Sequence, residues 1–263
     1  MKVVVVIPAR YASTRFPGKP LARLSGKPII EWVWERVTGS GREEGKDAPW
    51  DAVVATDDCR IVEAVEAFGG VAMLTDSGHR SGTDRCGEVL GNLEAQGRHY
   101  DVVVDVQGDE PFVQQSQIGS LVDCFADPGT QIATLRTAID NLQELISPNN
   151  VKVVCGRDGR AIYFSRLPIP YLRGVEQEQW IAHQPYYKHV GIYAFRAETL
   201  KEVVRLQPSV LECSESLEQL RWIENGYTVR VCDTGQSNIG IDSPEDLATA
   251  EEYLQNEKKQ NTL

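Results

Sequence analysis

Five consecutive apolar residues, Val3, Val4, Val5, Val6 and Ile7, stand near the start of the chain and stop at Pro8. Such a run, without polar alternation, fits a strand covered on both faces, as in a parallel sheet. The loop that follows, residues 8–20, contains Pro8, Pro17, Gly18 and Pro20, which cannot extend a strand or begin a regular helix. Arg10, Arg15 and Lys19 stand in it, and no Asp or Glu occurs before Glu31. The whole chain, by contrast, is acidic, with a formal net charge of -11. A cationic loop in an acidic protein needs a reason, and an anionic ligand supplies one. The loop after the first strand of an α/β sheet lies at the carboxyl edge, where such sheets bind ligands. The loop therefore reads as a triphosphate clamp. Arg offers bidentate donors and Lys a point charge, and Gly18 lets backbone come close to a phosphate.

At 263 residues the chain fits one large α/β domain, residues 1–263, with room for a small appendage and a full hydrophobic core. Its charge argues against nonspecific binding to nucleic acid or to anionic membranes. Six cysteines (Cys59, Cys86, Cys124, Cys155, Cys213, Cys232) are scattered without a C-x-x-C pair, so neither a zinc site nor a disulfide scaffold is indicated. The apolar start is too short for a signal-peptide core, and no run approaches a membrane span. A reducing cytoplasm is the expected location.

Along the chain, strands and helices alternate. Pro28 sits where a first helical residue often sits, and Ile30, Val33, Trp34 and Val37 then mark a helix stripe. Residues 39–49 are a turn-rich connection whose Gly45-Lys46 lacks Walker spacing. A strand at residues 52–56 leads to a helix marked by Ile61, Val62, Val65 and Phe68, and then to a short strand at 71–74. Residues 75–84 read as a polar loop before the stripe Cys86, Val89, Leu90 and Leu93. A strand at 101–106 enters Gln107-Gly108-Asp109-Glu110-Pro111, followed by a helix through Ile118, Leu121, Val122 and Phe125. This alternation predicts a parallel sheet with helices on both faces. No G-x-G-x-x-G follows any of these strands, so the dinucleotide fingerprint is absent.

The second half differs. Strands at 151–155 and 161–165 flank Gly156-Arg157-Asp158-Gly159, a hairpin signal. Residues 166–188, with several prolines and aromatics, read as an excursion, either a dimerisation arm or a lid. A strand at 189–195, helices through Leu200–Leu206 and Leu217–Ile223, and a strand at 228–232 follow. Ser243 is the expected N-cap of a last helix, with Pro244 in its first turn and Asp246 three residues on.

Asp109 stands just beyond a buried strand, well placed to hold Mg²⁺, which takes one or two carboxylates plus phosphate oxygens; the alternative is a cap on the next turn. Asp242 has no local capping task and either projects toward a metal or is a surface turn residue. His189, at the start of an apolar strand, reads first as a core or edge residue. Tyr163, Phe164, Trp180, Tyr186, Tyr187 and Tyr193 read as core or interface.

The blocks I-P-A-R-Y-A-S-T-R-F-P-G-K-P-L (from Ile7), V-A-T-D (from Val54), S-G-T-D-R (from Ser81), V-Q-G-D-E-P (from Val106), Y-F-S-R (from Tyr163), K-H-V-G-I-Y (from Lys188), L-E-Q-L-R (from Leu217) and I-D-S-P-E-D-L (from Ile241) together resemble the CMP-Kdo synthetases, the 3-deoxy-manno-octulosonate (Kdo) cytidylyltransferases. They run in family order over nearly the whole chain. The resemblance implies a mostly parallel, Rossmann-like nucleotidyltransferase sheet flanked by helices, with the arm or lid as its excursion. It implies CTP and Kdo as substrates, Mg²⁺ as cofactor, a role in lipopolysaccharide synthesis and a homodimer. Carried over, Arg10, Arg15 and Lys19 would bind the CTP phosphates, and Ser81, Thr83, Arg85 and Gln107 the cytidine or sugar end. Asp109 and Asp242 would ligate the metal, and Arg166, His189, Tyr193, Glu218 and Gln219 would line the sugar-acid pocket. Residues 39–49 are longer than the family's usual connection, and 173–187 match poorly. The implied reaction is in-line attack of the anomeric hydroxyl on the α-phosphorus of CTP with loss of pyrophosphate. Another sugar acid, sialic acid or 8-amino-Kdo, and a CTP-binding protein without catalysis are the alternatives.

Overall fold

The structure, a computed structural model, describes residues 1–12, 16–40, 48–235, 240–241 and 243–260, with side chains to residue 255. The expected calls on Arg15, Asp242 and the core of the 39–49 connection lie outside the described residues. Packing gathers into two compact units, Met1–Ile118 with Asn238–Leu263, and Gly119–Ser237. The domain read as 1–263 thus has two centres, the second inserted in the chain of the first.

The first unit comprises β1 (Val3–Pro8), β2 (Arg23–Leu24), β3 (Lys27–Pro28), α1 (Ile29–Thr38), β4 (Asp51–Thr56), α2 (Cys59–Ala67), β5 (Ala72–Leu74), α3 (Gly82–Ala95) and β6 (Val102–Asp105). Its main sheet runs β6–β1–β4–β5 with every pair parallel. β1 is central, and Val4, Val5, Val6 and Ile7 are fully buried, as a two-sided strand requires. The order reverses at β1, since β4 lies on one side and β6 on the other. In such sheets the crevice outside the carboxyl ends at this reversal is the ligand site. The helices cover the sheet through the stripes Ile29, Ile30, Val33 and Val37 of α1, Ile61 and Val65 of α2, and Val89, Leu90 and Leu93 of α3. Each fully buried side chain of this size contributes about 1.5–3 kcal/mol.

Two boundaries differ from the sequence reading. Pro28 caps α1 rather than entering it, with ψ at 143° in an extended conformation. The loop expected through Asp84 ends at Ser81. There a capping box forms, with Asp84 N donating to Ser81 Oγ (3.1 Å) and Ser81 N to Asp84 Oδ2 (3.3 Å), so two orphan donors are met and α3 starts early.

α4 (Gln115–Asp123) carries the chain onward. The second unit holds β7 (Ile132–Ile139), α5 (Leu142–Ile146), β8 (Lys152–Cys155), β9 (Ala161–Ser165), α6 (Trp180–His183), β10 (Tyr186–Arg196), α7 (Ala197–Val203), α8 (Val210–Glu215), α9 (Glu218–Glu224) and β11 (Val229–Asp233). Its strands run β11–β7–β10–β8–β9; β11 is parallel to β7 and the other pairs are antiparallel. The hairpin of β8 and β9 is as expected. β7, α5 and α8 were not. The excursion at 166–188 contains α6, and its last three residues belong to β10. Two of its aromatics are core: Trp180 stacks on Tyr186 (6.1 Å, 13°) beside Ile139 and Leu145, and Tyr186 OH donates to Pro170 O at 3.0 Å, whereas Tyr171 is exposed. Trp222 meets Tyr193 and Phe195 edge-on at 5.0 and 5.1 Å. The sheets and flanking helices make the mostly parallel α/β fold read from the sequence.

α10 (Pro244–Gln260) returns to the first unit. Ser243 caps it as expected, reciprocally with Asp246 (Ser243 N to Asp246 Oδ2, 2.8 Å). It docks through Tyr253 against Phe112 (4.7 Å) and through Glu251 accepting from Ser25 Oγ (2.6 Å). Among the described residues, no helix is long and apolar enough to cross a membrane.

Candidate functional site

In the first unit the carboxyl ends of β1, β5 and β6 surround a cavity of about 120 Å³ lined by Pro8, Ala9, Arg10, His79, Arg80, Ser81, Gly82, Arg85 and Gln107. It sits at the sheet reversal between β1 and β6. Three arginines on so small a cavity select an anion. Arg10 comes from the loop after β1, and Arg80, which sequence reading passed over, from the turn before α3. Close approach of the chains is enforced at two glycines. A Cβ on Gly108 would lie 2.8 Å from Pro8 O, and one on Gly82 would lie 2.6 Å from Gln107 Nε2. Gly108 N donates to Pro8 O at 3.0 Å, locking the β6 loop to the end of β1.

Of the residues expected at the nucleotide end, Ser81, Arg85 and Gln107 line this cavity, and Thr83 is buried one step into α3. Their polar atoms are partly engaged by the protein itself. The Ser81 hydroxyl caps α3, and Gln107 Nε2 donates to buried Asp105 Oδ1 at 2.8 Å. The 3% exposed Arg85 donates to Asp57 Oδ2 (2.5 Å), Thr75 Oγ1 (2.6 Å) and Asp76 O (3.2 Å). It ties the loops after β4 and β5 to α3 and so sets the cavity wall as well as its charge.

Lys19 and Asp109, 90 residues apart, meet directly. Lys19 Nζ donates to Asp109 Oδ2 at 2.5 Å. Their side chains are 11% and 28% exposed, so the pair is largely but not wholly desolvated. Gly18 at φ 72° is the bend before Lys19, in the left-handed region that glycine favours. Asp109 O accepts from Ile241 N at 3.0 Å, which brings the segment before position 242 to the Asp109 backbone. Among the described residues there is no cluster of three or more His, Cys, Asp or Glu side chains with metal-site geometry.

The other expected residues belong to the second unit. His189 is pushed down to about 3 by burial, so it is neutral at working pH. Its Nε2 lies 2.9 Å from Thr134 Oγ1, and the Thr134 hydroxyl donates to Ile192 O at 2.9 Å. The register of β10 against β7 shifts between Val190 and Tyr193, and buried Thr134 holds that bulge. Tyr193 packs 5.3 Å from His189. Gln219 is 4% exposed in the first turn of α9, next to Glu218. Arg166 is spent on backbone: it donates to Glu215 O (2.7 Å), Pro148 O (3.0 Å) and Ser216 O (3.3 Å). Beside it lies Lys152, fully buried, donating to Ser147 O (2.9 Å), Asn150 O (2.6 Å) and Arg166 O. Nothing in the sequence marked Lys152 except a lysine in an apolar strand.

Comparison with known proteins agrees with this geometry. The cytidylyltransferase family model matches residues 4–232. A 3-deoxy-manno-octulosonate cytidylyltransferase of Phocaeicola vulgatus is 53% identical over 257 residues, covering 97% of this chain and 98% of that protein. One of Parabacteroides distasonis is 51% identical over 260 residues, with 97% and 99% covered. Among solved structures, CMP:2-keto-3-deoxy-manno-octonic acid synthetase complexed with CTP superposes with a TM-score of 0.86 at 40% identity, covering 98% of this chain and all of that one.

Proposed function

The chain belongs to the cytidylyltransferase family, and we propose that it transfers CMP from CTP to the anomeric hydroxyl of 3-deoxy-manno-octulosonate, releasing pyrophosphate. The observation that carries the reading is the arginine-lined cavity at the reversal of a parallel sheet, next to the Lys19–Asp109 pair. The relatives named above supply the nucleotide and the sugar acid.

The protein's part in such a transfer is positioning and charge neutralisation. Arg10 lines the cavity and Lys19 belongs to the same loop, which supports both as partners of the nucleotide's phosphates, each charge-assisted bond contributing about 1.5–3 kcal/mol. Asp109 fits a Mg²⁺ donor set: its carboxylate is partly exposed, with Oδ2 on Lys19, and such an ion takes one or two carboxylates together with phosphate oxygens. Asp109 would hold it, with Asp242 as the second candidate. When bound, the ion supplies charge neutralisation at the phosphates. Neutral His189 and Gln219 suit a hydroxyl-rich sugar acid. The same reading places the enzyme in the cytoplasm, supplying activated Kdo for lipopolysaccharide synthesis.

Pyrophosphate release from CTP and Mg²⁺ is the test, run with Kdo, sialic acid, 8-amino-Kdo or no sugar. Turnover with Kdo is expected. Turnover with another acid alone would reassign the sugar, and CTP binding without turnover would leave a nucleotide-binding protein.

A homodimer is part of this proposal. Supporting it, the second unit leaves Ile162, Leu167, Tyr171 and Val210 between 60% and 76% exposed, and large exposed apolar side chains commonly serve association. Leu167→Glu should shift the solution mass from dimer to monomer in light scattering at micromolar concentration. A monomeric wild type would remove the proposal.

A further inference from the structure

The cationic loop is held from outside by a residue of α2. Tyr11 follows Arg10, and its carbonyl accepts from Gly18 N at 2.9 Å, closing the loop just before Lys19. Gly18 lies against the phenolic end of the same ring, where a Cβ would come within 3.1 Å of Tyr11 Cζ and Oη. Over the ring sits Arg60, its guanidinium carbon 3.5 Å from the centroid. This distance is well inside the range of cation–π attraction.

Arg60 is itself immobilised. Asp58 caps α2 by accepting from Arg60 N at 2.9 Å. The same carboxylate takes the guanidinium as a fork, from Nε at 2.9 Å and Nη2 at 2.6 Å. A bidentate pair fixes the plane of an arginine as well as its position. The chain Asp58–Arg60–Tyr11–Gly18 thus runs from the end of β4 to the loop that bears Arg10 and Lys19. Arg60 has no place in the cavity lining, and its side chain is 57% exposed.

We infer that Arg60 is a positioning residue: by seating Tyr11 it fixes the spacing of Arg10 and Lys19 before the nucleotide arrives. The consequence for the reaction rests on the reading of this loop as the CTP phosphate site. Preorganising a loop improves binding by reducing the ordering needed when the ligand arrives. Loss of Arg60 should therefore raise KM for CTP and leave the sugar-acid KM alone.

Four variants test this. Arg60→Gln and Tyr11→Leu should each raise KM for CTP about tenfold, with kcat within about threefold and the sugar-acid KM within about twofold. Tyr11→Phe, which keeps the ring, should match wild type. Arg60→Gln with Tyr11→Leu together should be no worse than either alone, because one interaction has been removed twice. Additive losses, or an unchanged KM for CTP in an active enzyme, would overturn the inference. A second readout needs no turnover: the Gly18 amide, measured by hydrogen exchange in the ligand-free protein, should exchange about tenfold faster in Arg60→Gln and Tyr11→Leu than in wild type or Tyr11→Phe. Equal exchange in all four would also overturn it. Inactive wild type with the expected exchange pattern would instead count against the CTP reading alone.

Discussion

Asp109→Asn is expected to lower kcat by about 10²–10³-fold, the loss seen when one preorganised electrostatic group is removed from a reacting centre, while the protein stays folded. Asparagine is the informative choice over alanine. Lys19 is 11% exposed and donates to Asp109 Oδ2. Alanine would take the Asp109 acceptor from that ammonium and cost about 1–3 kcal/mol, mixing a stability loss into the kinetics. The asparagine carbonyl can still accept from Lys19 Nζ. What it removes is the negative charge, and with it the role proposed for Asp109, to hold a divalent ion at the phosphates. The pyrophosphate-release rate at saturating CTP and Kdo measures the effect, and a thermal melt within about 5 °C of wild type confirms the fold. Wild-type kcat in this variant would end the assignment of Asp109 to the metal.

The second large effect is on stability. Lys152→Met should destabilise the protein by about 3–5 kcal/mol, the range for breaking a buried charged network. Methionine fills the space of the side chain but leaves Ser147 O, Asn150 O and Arg166 O without their shared donor. The contribution of Lys152 should also depend on pH. Burial pulls its ammonium down to about 8 from the usual 10.5. Between those values the unfolded chain holds a proton that the folded chain has released. Stability therefore rises with pH across that window, and the penalty of burying the charge is present in full below about pH 8. Urea titrations at pH 7.5 and pH 10 should show the gap between wild type and Lys152→Met widening at the higher pH. A gap that does not widen would show that the folded amine keeps its proton across this window.

The first unit was legible because its physics is local. Val3 to Ile7 had to be two-sided, the loop after them had to sit at the carboxyl edge, and the helix stripes repeat at 3.6 residues. Even its misread boundary had a local signal, since Ser81 and Asp84 stand at capping-box spacing. β7 was harder. Its residues Thr134, Arg136 and Thr137 interrupt any apolar run, and their partners are distant: Thr134 serves the carbonyls of β10, and Arg136 pairs with Asp233 at 2.8 Å. The candidate site divides the same way. Arg10, Lys19 and Asp109 announced themselves by charge at a strand end. That Lys19 would meet Asp109, that Arg166 would be turned onto backbone carbonyls, and that Arg60 would sit over Tyr11 depend on how loops close. Resemblance supplied the names of many site residues, but not those partnerships.

The bond from Ile241 N to Asp109 O has a bearing on when the enzyme becomes competent. A ribosome makes the cationic loop and Asp109 before the second unit, and residue 241 and α10 only after it. The second unit has all its own strands before the first has received its closing helix. Nascent chains fold as their units are completed, so the inserted unit has the means to mature ahead of the unit that contains it. The Asp109 loop waits for this backbone partner until the second unit has been made, and the order of translation thereby leaves that loop without the bond while the inserted unit is growing.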